Sequence, residues 1–258
     1  MKKIFLDIET IPTQDNDLKS FVLETNRKKV KPSSEDKAYR DTALDGAFGE
    51  ILSIGWAVDD EPAKVLYRSN LTPAAERGLL LKFYSLLKPA LNHHTIDIDD
   101  LEQKEINYEP SLWVGHNIRD FDLRFIYQRT LVHQINPEIN LCMSYEDRTN
   151  VFDTQTAFAG YKQNISLAKL CKALGIKCKS GGIEGAKVWD AVLEGRFEDI
   201  ALYCKEDVEA TREAFYKLKQ IRKSMNFGMD EVDMSSITLI ESSNGSAIYN
   251  NNNDIIPF

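Results

Sequence analysis

Histidine and cysteine are scarce, with four of each in 258 residues. Cys142, Cys171, Cys178 and Cys204 form no C-x-x-C pair, and no Cys/His group has zinc-like spacing, which excludes a structural zinc module. They are expected to be reduced thiols of a cytoplasmic protein. Long apolar runs are also missing. The N-terminal run is interrupted by Asp7 and is far too short for a signal peptide or a membrane span. The glycine-rich stretch 179–185 lacks the G-K-[ST] of a phosphate-cradling loop, and no internal repeat occurs. Positive charge is in deficit, with a net charge of −8. That argues against a high-affinity, nonspecific nucleic-acid coat protein, whose binding is driven by phosphate neutralisation. The composition, 43% hydrophobic, suffices for one large domain or a domain plus a tail.

Carboxylates at telling positions are present. The stretch Lys3 to Thr10 reads as a buried strand, and side chains alternate along a strand. Asp7 and Glu9 therefore share one face while Leu6 and Ile8 share the other. Two full charges about 4 Å apart repel by roughly 4 kcal/mol at an effective dielectric near 20, so a core strand gains from this pair only if a cation fills the gap. A second group lies in Asn117-Ile118-Arg119-Asp120-Phe121-Asp122, which opens a helix with apolar residues at helical spacing. Asp120 and Asp122 both compete for a role there, Asp120 also as a helix cap. A third group sits in a late periodic helix, where Tyr203 and Asp207 are four apart and share a face. Glu206 falls about 100° round that helix and is expected in solvent. His116 is expected in a structural hydrogen bond. Asp153 is either a supporting acid or a helix cap. His93 and His94 lie in a polar loop without a ligand partner at useful spacing.

The ordered set D-x-E, N-x-x-x-F-D and Y-x-x-x-D resembles the three motifs of the DEDD (DnaQ-like) superfamily of 3′→5′ exonucleases. Tyr203 four before Asp207 resembles the tyrosine subgroup, since Leu202 stands where the histidine subgroup has His. The likeness continues through Ser166 to Leu170, Leu174-Gly175-Ile176 and Gly185 to Trp189. It is strongest to the stand-alone exonucleases related to the family B DNA polymerase proofreading domain, over roughly residues 1 to 223.

The resemblance implies a ribonuclease H-like fold and selects Asp122 over Asp120. It implies that Asp7, Glu9, Asp122 and Asp207 hold two divalent cations, Mg2+ or Mn2+, with Asp7 the bridging ligand and Tyr203 orienting the nucleophilic water. The residue types suit this chemistry: magnesium prefers hard oxygen ligands, and two-metal phosphodiester cleavage needs an acidic clamp. The implied substrate is the 3′ end of single-stranded nucleic acid, with DNA favoured. Thr10 and Ile11 are expected beside the terminal nucleotide and Phe121 as an apolar contact. Asn117 and Lys187 complete the expected substrate contacts, and Lys177 and Lys179 are further basic residues near the glycine-rich loop. Replication proofreading or repair is the implied setting. An exoribonuclease, or an idle nucleic-acid-binding or docking subunit, are the alternatives.

The fold class expected is α/β, a mixed sheet of three antiparallel strands followed by parallel ones, flanked by helices. Strand one is followed by a polar insert, 12–46, helical around Leu18 to Arg27. Strands follow at Glu50 to Val58 and Ala63 to Tyr67, then a helix from Pro73 to Leu87 with Thr72 as its cap. An acidic connection spans 92–110. Beyond it lie a strand at Leu112 to Val114, a helix at Phe121 to Val132, a strand near 150–153, and helices at 166–174, 186–194 and 198–223. Residues 1–224 are expected to form the exonuclease domain. Residues 225–258 read as a flexible Ser/Asn-rich tail. Its end, Asp254-Ile255-Ile256-Pro257-Phe258, resembles the tip of bacterial single-stranded DNA-binding proteins, which implies a docking peptide for a replication or repair partner.

Overall fold

The structure, a computed structural model, describes residues 1–91, 111–137, 139–144, 149–177 and 185–224, the side chains of 222–224 excepted. The acidic connection with His93 and His94, Cys178, Lys179 with most of the glycine-rich loop, and the tail with its Asp254–Phe258 end lie outside the described residues.

One five-stranded sheet has the order β3-β2-β1-β4-β5. Its strands are β1 (Lys3–Ile11), β2 (Glu50–Val58), β3 (Lys64–Tyr67), β4 (Leu112–Gly115) and β5 (Val151–Asp153). β1 is central, antiparallel to β2 and parallel to β4; β2 and β3 are antiparallel, β4 and β5 parallel. This is the expected mixed sheet. The helices are α1 (Asn16–Arg27), α2 (Glu35–Arg40), α3 (Pro73–Leu87), α4 (Asp122–Val132), α5 (Thr154–Ala159), α6 (Leu167–Ala173), α7 (Val188–Leu193) and α8 (Phe197–Ser224).

Alternation along β1 divides the core. Ile4, Leu6 and Ile8 join Ile54, Trp56 and Trp113 against Leu80 and Phe83 of α3 and Phe125 and Ile126 of α4. On the opposite face Phe5, Ala57 and Val114 meet Val208 and Phe215 of α8. The Phe215 ring stands edge-on to Phe5 at 5.6 Å and to Phe152 at 4.9 Å. Each such side chain contributes about 1.5–3 kcal/mol by leaving water, so α8 is fixed across the sheet.

Several local expectations are sharpened. The polar insert folds into α1 and α2, started by Asp15 and Ser34 caps. α3 has the expected Thr72 cap and Pro73 in its first turn. Asp120 does not cap α4: Phe121 occupies the cap position and makes no side-chain cap bond. Asp153 does cap, accepting from Gln155 and Thr156 at the start of α5, a helix the sequence pattern did not reveal. Ala63 drops out of β3 because its N–H donates to Glu209 Oε1 of α8 at 2.8 Å. Cys142, Cys171 and Cys204 are buried thiols outside any disulfide. Among the described residues no helix is long and apolar enough to cross a membrane.

Buried charge ties α3, α4 and β2 together. Glu76 is fully enclosed and accepts from Ile51 N–H at 2.8 Å, from Arg129 at 2.9 and 2.7 Å, and lies 2.7 Å from His133 Nε2. Burial alone pushes its carboxyl upward; hydrogen bonds from His133 and Arg129 overcome that and hold it at about 2, below the ordinary 4.5. Because the folded-state value is depressed, its contribution is complete above about 4.5 and is lost as pH falls toward about 2. Glu76→Gln strands the Arg129 guanidinium and is expected to cost about 3–5 kcal/mol in urea melts at pH 7. The gap between wild type and variant should narrow as pH falls through that window; a gap independent of pH would refute the assignment.

Candidate metal and nuclease site

The site forms where the odd-numbered face of β1 meets α8. Asp7 and Glu9 point together from β1, as alternation requires, and Asp207 faces them from α8. One carboxylate oxygen of each lies within 4.8 Å of the others. Gly55 makes this approach close. It pairs directly with Asp7 across the β1–β2 ladder, and a Cβ there would meet Cys204 Sγ and Val208 Cγ2 at 3.0 Å. An isolated glycine within an apolar strand marks such a close approach. The Cys204 thiol donates to the Asp7 carbonyl at 3.4 Å from behind the cluster.

Asp122 arrives at the first turn of α4. It is 2% exposed, and its Oδ1 accepts from Ile8 N–H at 3.0 Å. It thus sits beside Asp7 and Glu9 without belonging to the tight trio. Tyr203, one turn before Asp207, donates its hydroxyl to that carboxylate and packs against the cluster of Ile11, Val188 and Ile200.

The four carboxylates disturb one another. Burial, then Glu9, Asp122 and Asp207, push Asp7 well above the ordinary carboxylate range. Burial, Asp207 and Asp122 do the same to Glu9. Burial raises Asp122 to about 8 against the pull of its own and the Ile8 N–H groups, with Asp153 and Asp207 adding to the rise. Burial raises Asp207 to about 6, opposed by the Tyr203 hydroxyl and reinforced by Glu206. Burial and the adjacent Asp207 and Glu9 keep Tyr203 a neutral phenol. Asp7 retains some surface, yet its Oδ2 is enclosed and has no hydrogen-bond donor among the described residues. An enclosed carboxylate oxygen without a donor, amid three more carboxylates, fits a hard divalent cation such as Mg2+ or Mn2+. It does not fit an anion.

The other expected residues fall into two groups. Thr10 is near the cluster, but its hydroxyl is committed to Ala43 O at 2.6 Å. Ile11 is a correction: its side chain is fully buried between Leu52, Val188 and Ala191 and presents no surface to a nucleotide. Asn117 takes a left-handed conformation (φ 60°), which Asn tolerates, and donates its N–H to Asp153 Oδ1 at 3.0 Å. Phe121 is half-buried, its ring 5.6 Å from Phe125. Lys187 is exposed in the turn before α7. His116 has the expected structural role, spanning Thr154 Oγ1 at 3.0 Å and Ile165 O at 2.7 Å. Burial lowers its pKa. Glu206 is half-buried rather than solvated.

Sequence reasoning missed the wall that the insert builds beside the site. Arg40 of α2 pairs with Asp190 of α7 at 2.8 Å, and Tyr39 stands edge-on to Trp189 at 6.0 Å. No periodicity announces a contact across 150 residues.

Removing one charge from the cluster should stabilise the metal-free protein. Asp7→Asn is expected to raise Tm in chelator at pH 8 by about 3–6 °C, equivalent to about 1–2 kcal/mol; an unchanged or lower Tm would mean the cluster is not under repulsion. Gly55→Ala should cost about 1–3 kcal/mol in the same melts, because α8 or its side chains must give way.

No curated protein matches the sequence. Among solved structures, the family B DNA polymerase from the hyperthermophilic archaeon Pyrobaculum calidifontis is similar in fold, with a TM-score of 0.51 and 14% identity over 85% of this chain and 24% of the polymerase chain. The chain therefore spans about a quarter of that polymerase's length. The model of predicted 3′-5′ exonucleases related to the exonuclease domain of PolB matches residues 98–244, more than half of the chain. That match takes in Asp122, Tyr203 and Asp207, and the fold brings Asp7 and Glu9 to them from outside it. The chain belongs to the family of predicted 3′-5′ exonucleases related to the exonuclease domain of PolB.

Proposed function

We propose that this chain is a two-metal-ion 3′→5′ exonuclease of the DEDD tyrosine subgroup, acting on single-stranded DNA ends in proofreading or repair. One observation carries the reading: Asp7, Glu9 and Asp207 converge within 4.8 Å, with Asp122 beside them. These four carboxylates would hold two divalent cations, Mg2+ or Mn2+. Bound there, the cations supply an activated water and charge stabilisation at the leaving oxygen. The protein's own work is orientation. Asp207 holds the Tyr203 hydroxyl, and the neutral phenol directs the attacking water. The ordered turn from His116 to Phe121, braced by Asp153, sets Asp122 at its place. The solved neighbour is a DNA polymerase, which supports DNA over RNA. In this reading residues 1–224 are the nuclease domain, and 225–258 are a tail whose Asp254–Phe258 end docks a replication or repair protein.

The test uses a 5′-labelled single-stranded DNA and its RNA counterpart with Mn2+, Mg2+ or chelator. A ladder of shortening DNA products is expected, absent in chelator and in Asp7→Ala. Saturating Mn2+, at about a hundred times its Kd, should add about 2.7 kcal/mol to wild-type stability and far less to Asp7→Ala. Tyr203→Phe should keep the Mn2+ stabilisation and lose about 10²-fold or more in kcat. Shortening of RNA alone would overturn the DNA assignment. Intact DNA and RNA with folded, metal-stabilised protein would overturn the exonuclease reading and leave a docking subunit.

A further inference from the structure

The insert between β1 and β2 supplies none of the four carboxylates, yet it is bolted to their strand. Thr10, next to Glu9, donates to Ala43 O at 2.6 Å, and Thr13 N–H donates to Thr42 Oγ1 at 3.0 Å. Thr42 also lines an open cleft of about 240 Å³ between α1 and the turn after α2. That is below the ~300–1,000 Å³ of pockets for drug-sized ligands and on the scale of one ring system.

The cleft has an aromatic wall, and its charged lining is Lys29 with Asp41 and Asp45. Phe21 and Phe48 lie 6.1 Å apart at 38°, and Phe21 is 56% exposed. The polar lining is largely engaged within the protein. Asn26 is bound to Ser33 through both its amide atoms; Thr42 donates to Tyr39 O; Asp41 holds Lys37. Ring faces are therefore the main surface on offer, which suits recognition without sequence preference. Lys29 lines the cleft, within the run Arg27-Lys28-Lys29-Val30-Lys31. Arg27 and Lys28 are paired with Glu35 and Glu24, whereas Lys29 and Lys31 have no acidic partner among the described residues. In a chain of net charge −8 this is positive charge left open to an anion.

We infer that the cleft stacks a base of the single strand on Phe21 and Phe48, upstream of the 3′ end, with Lys29 and Lys31 on the flanking phosphates. This rests on the exonuclease reading above. Thr42 of the cleft adjoins Ala43, whose carbonyl holds Thr10 beside Glu9, so at about 3.8 Å per residue the cleft lies within about 15 Å of the acids. At about 3.4 Å per stacked nucleotide, the captured base is a few nucleotides from the terminus. Ring stacking of this kind is sequence-tolerant, as removal of successive nucleotides requires. The Lys29 and Lys31 contacts make the grip dependent on salt.

The experiment measures binding of a 5′-labelled 12-nucleotide single strand by anisotropy, using the full chain carrying Asp7→Asn so that the strand survives. Adding Phe21→Ala should weaken binding about 5- to 150-fold. Lys29→Ala should weaken it and make the slope of log K against log salt shallower by about 0.7. Phe21 and Lys29 are both exposed, and unchanged Tm values certify the fold. The Phe21→Ala loss should shrink as the strand is cut to three nucleotides, which end before the cleft. Equal Kd for all proteins on the 12-mer, while the protein with Asp7 intact degrades it, would overturn the cleft and spare the exonuclease reading. An equal loss on the trinucleotide would likewise overturn it, as a general disturbance. If the strand is neither bound nor cleaved, both fall.

Discussion

The close approach of α8 to the centre of the sheet is the constraint on which the rest depends. β1 carries two acids on the face that α8 covers, and α8 carries a third at the point of contact. Bringing them together opposes both solvation and Coulomb repulsion. The apolar packing on either side of the cluster supplies the opposing force: Phe5, Val208 and Phe215 toward one end, Ile11, Val188 and Ile200 toward the other. Gly55 removes the one side chain that would hold the helix off. The repulsion is thus imposed by a fold that gains its stability elsewhere, as strain at functional sites generally is.

That arrangement is braced by several of the polar groups around it. Asp153 caps α5 and holds the Asn117 turn; His116 links α5 to the segment before α6; Glu76 binds β2 to α4. Each bond fixes an element that carries, or lies beside, a carboxylate. Asp122 shows the same economy, since one oxygen is bound to Ile8 N–H and its position is set by the strand that bears Asp7 and Glu9.

Much of this was legible in the sequence because it is local. Period-two alternation put Asp7 and Glu9 on one face, and a four-residue spacing put Tyr203 beside Asp207. The mixed sheet, antiparallel strands first and parallel ones after, followed from a run of apolar strands before the strand–helix alternation began; the strand order did not. The misreadings share a cause. Ile11 continues the same alternation as Glu9, but α7 closes over it, and only tertiary packing decides whether a residue past the motif faces a ligand or the core. Asp120 has a capping residue's chemistry, but the tight turn at Asn117, where Phe121 N–H bonds back to Asn117 O, moves the helix start past it. Gly55 was visible as a glycine inside a strand, and its partner on α8 was not.

The chain order adds a further consequence. The matched family region begins at residue 98, after β1, the insert and β2. The first acid pair and the last acid stand about two hundred residues apart, so the site exists only once β1 is seated between β2 and β4. Loop closure costs rise only slowly with length, so a long segment between β1 and β2 burdens that assembly little. The insert can therefore take on α1, α2 and an aromatic cleft while Thr10 and Thr13 keep it in register with Glu9. Length was added where the sheet tolerates it, and the bonds that brace it lie within a few residues of the acids they serve.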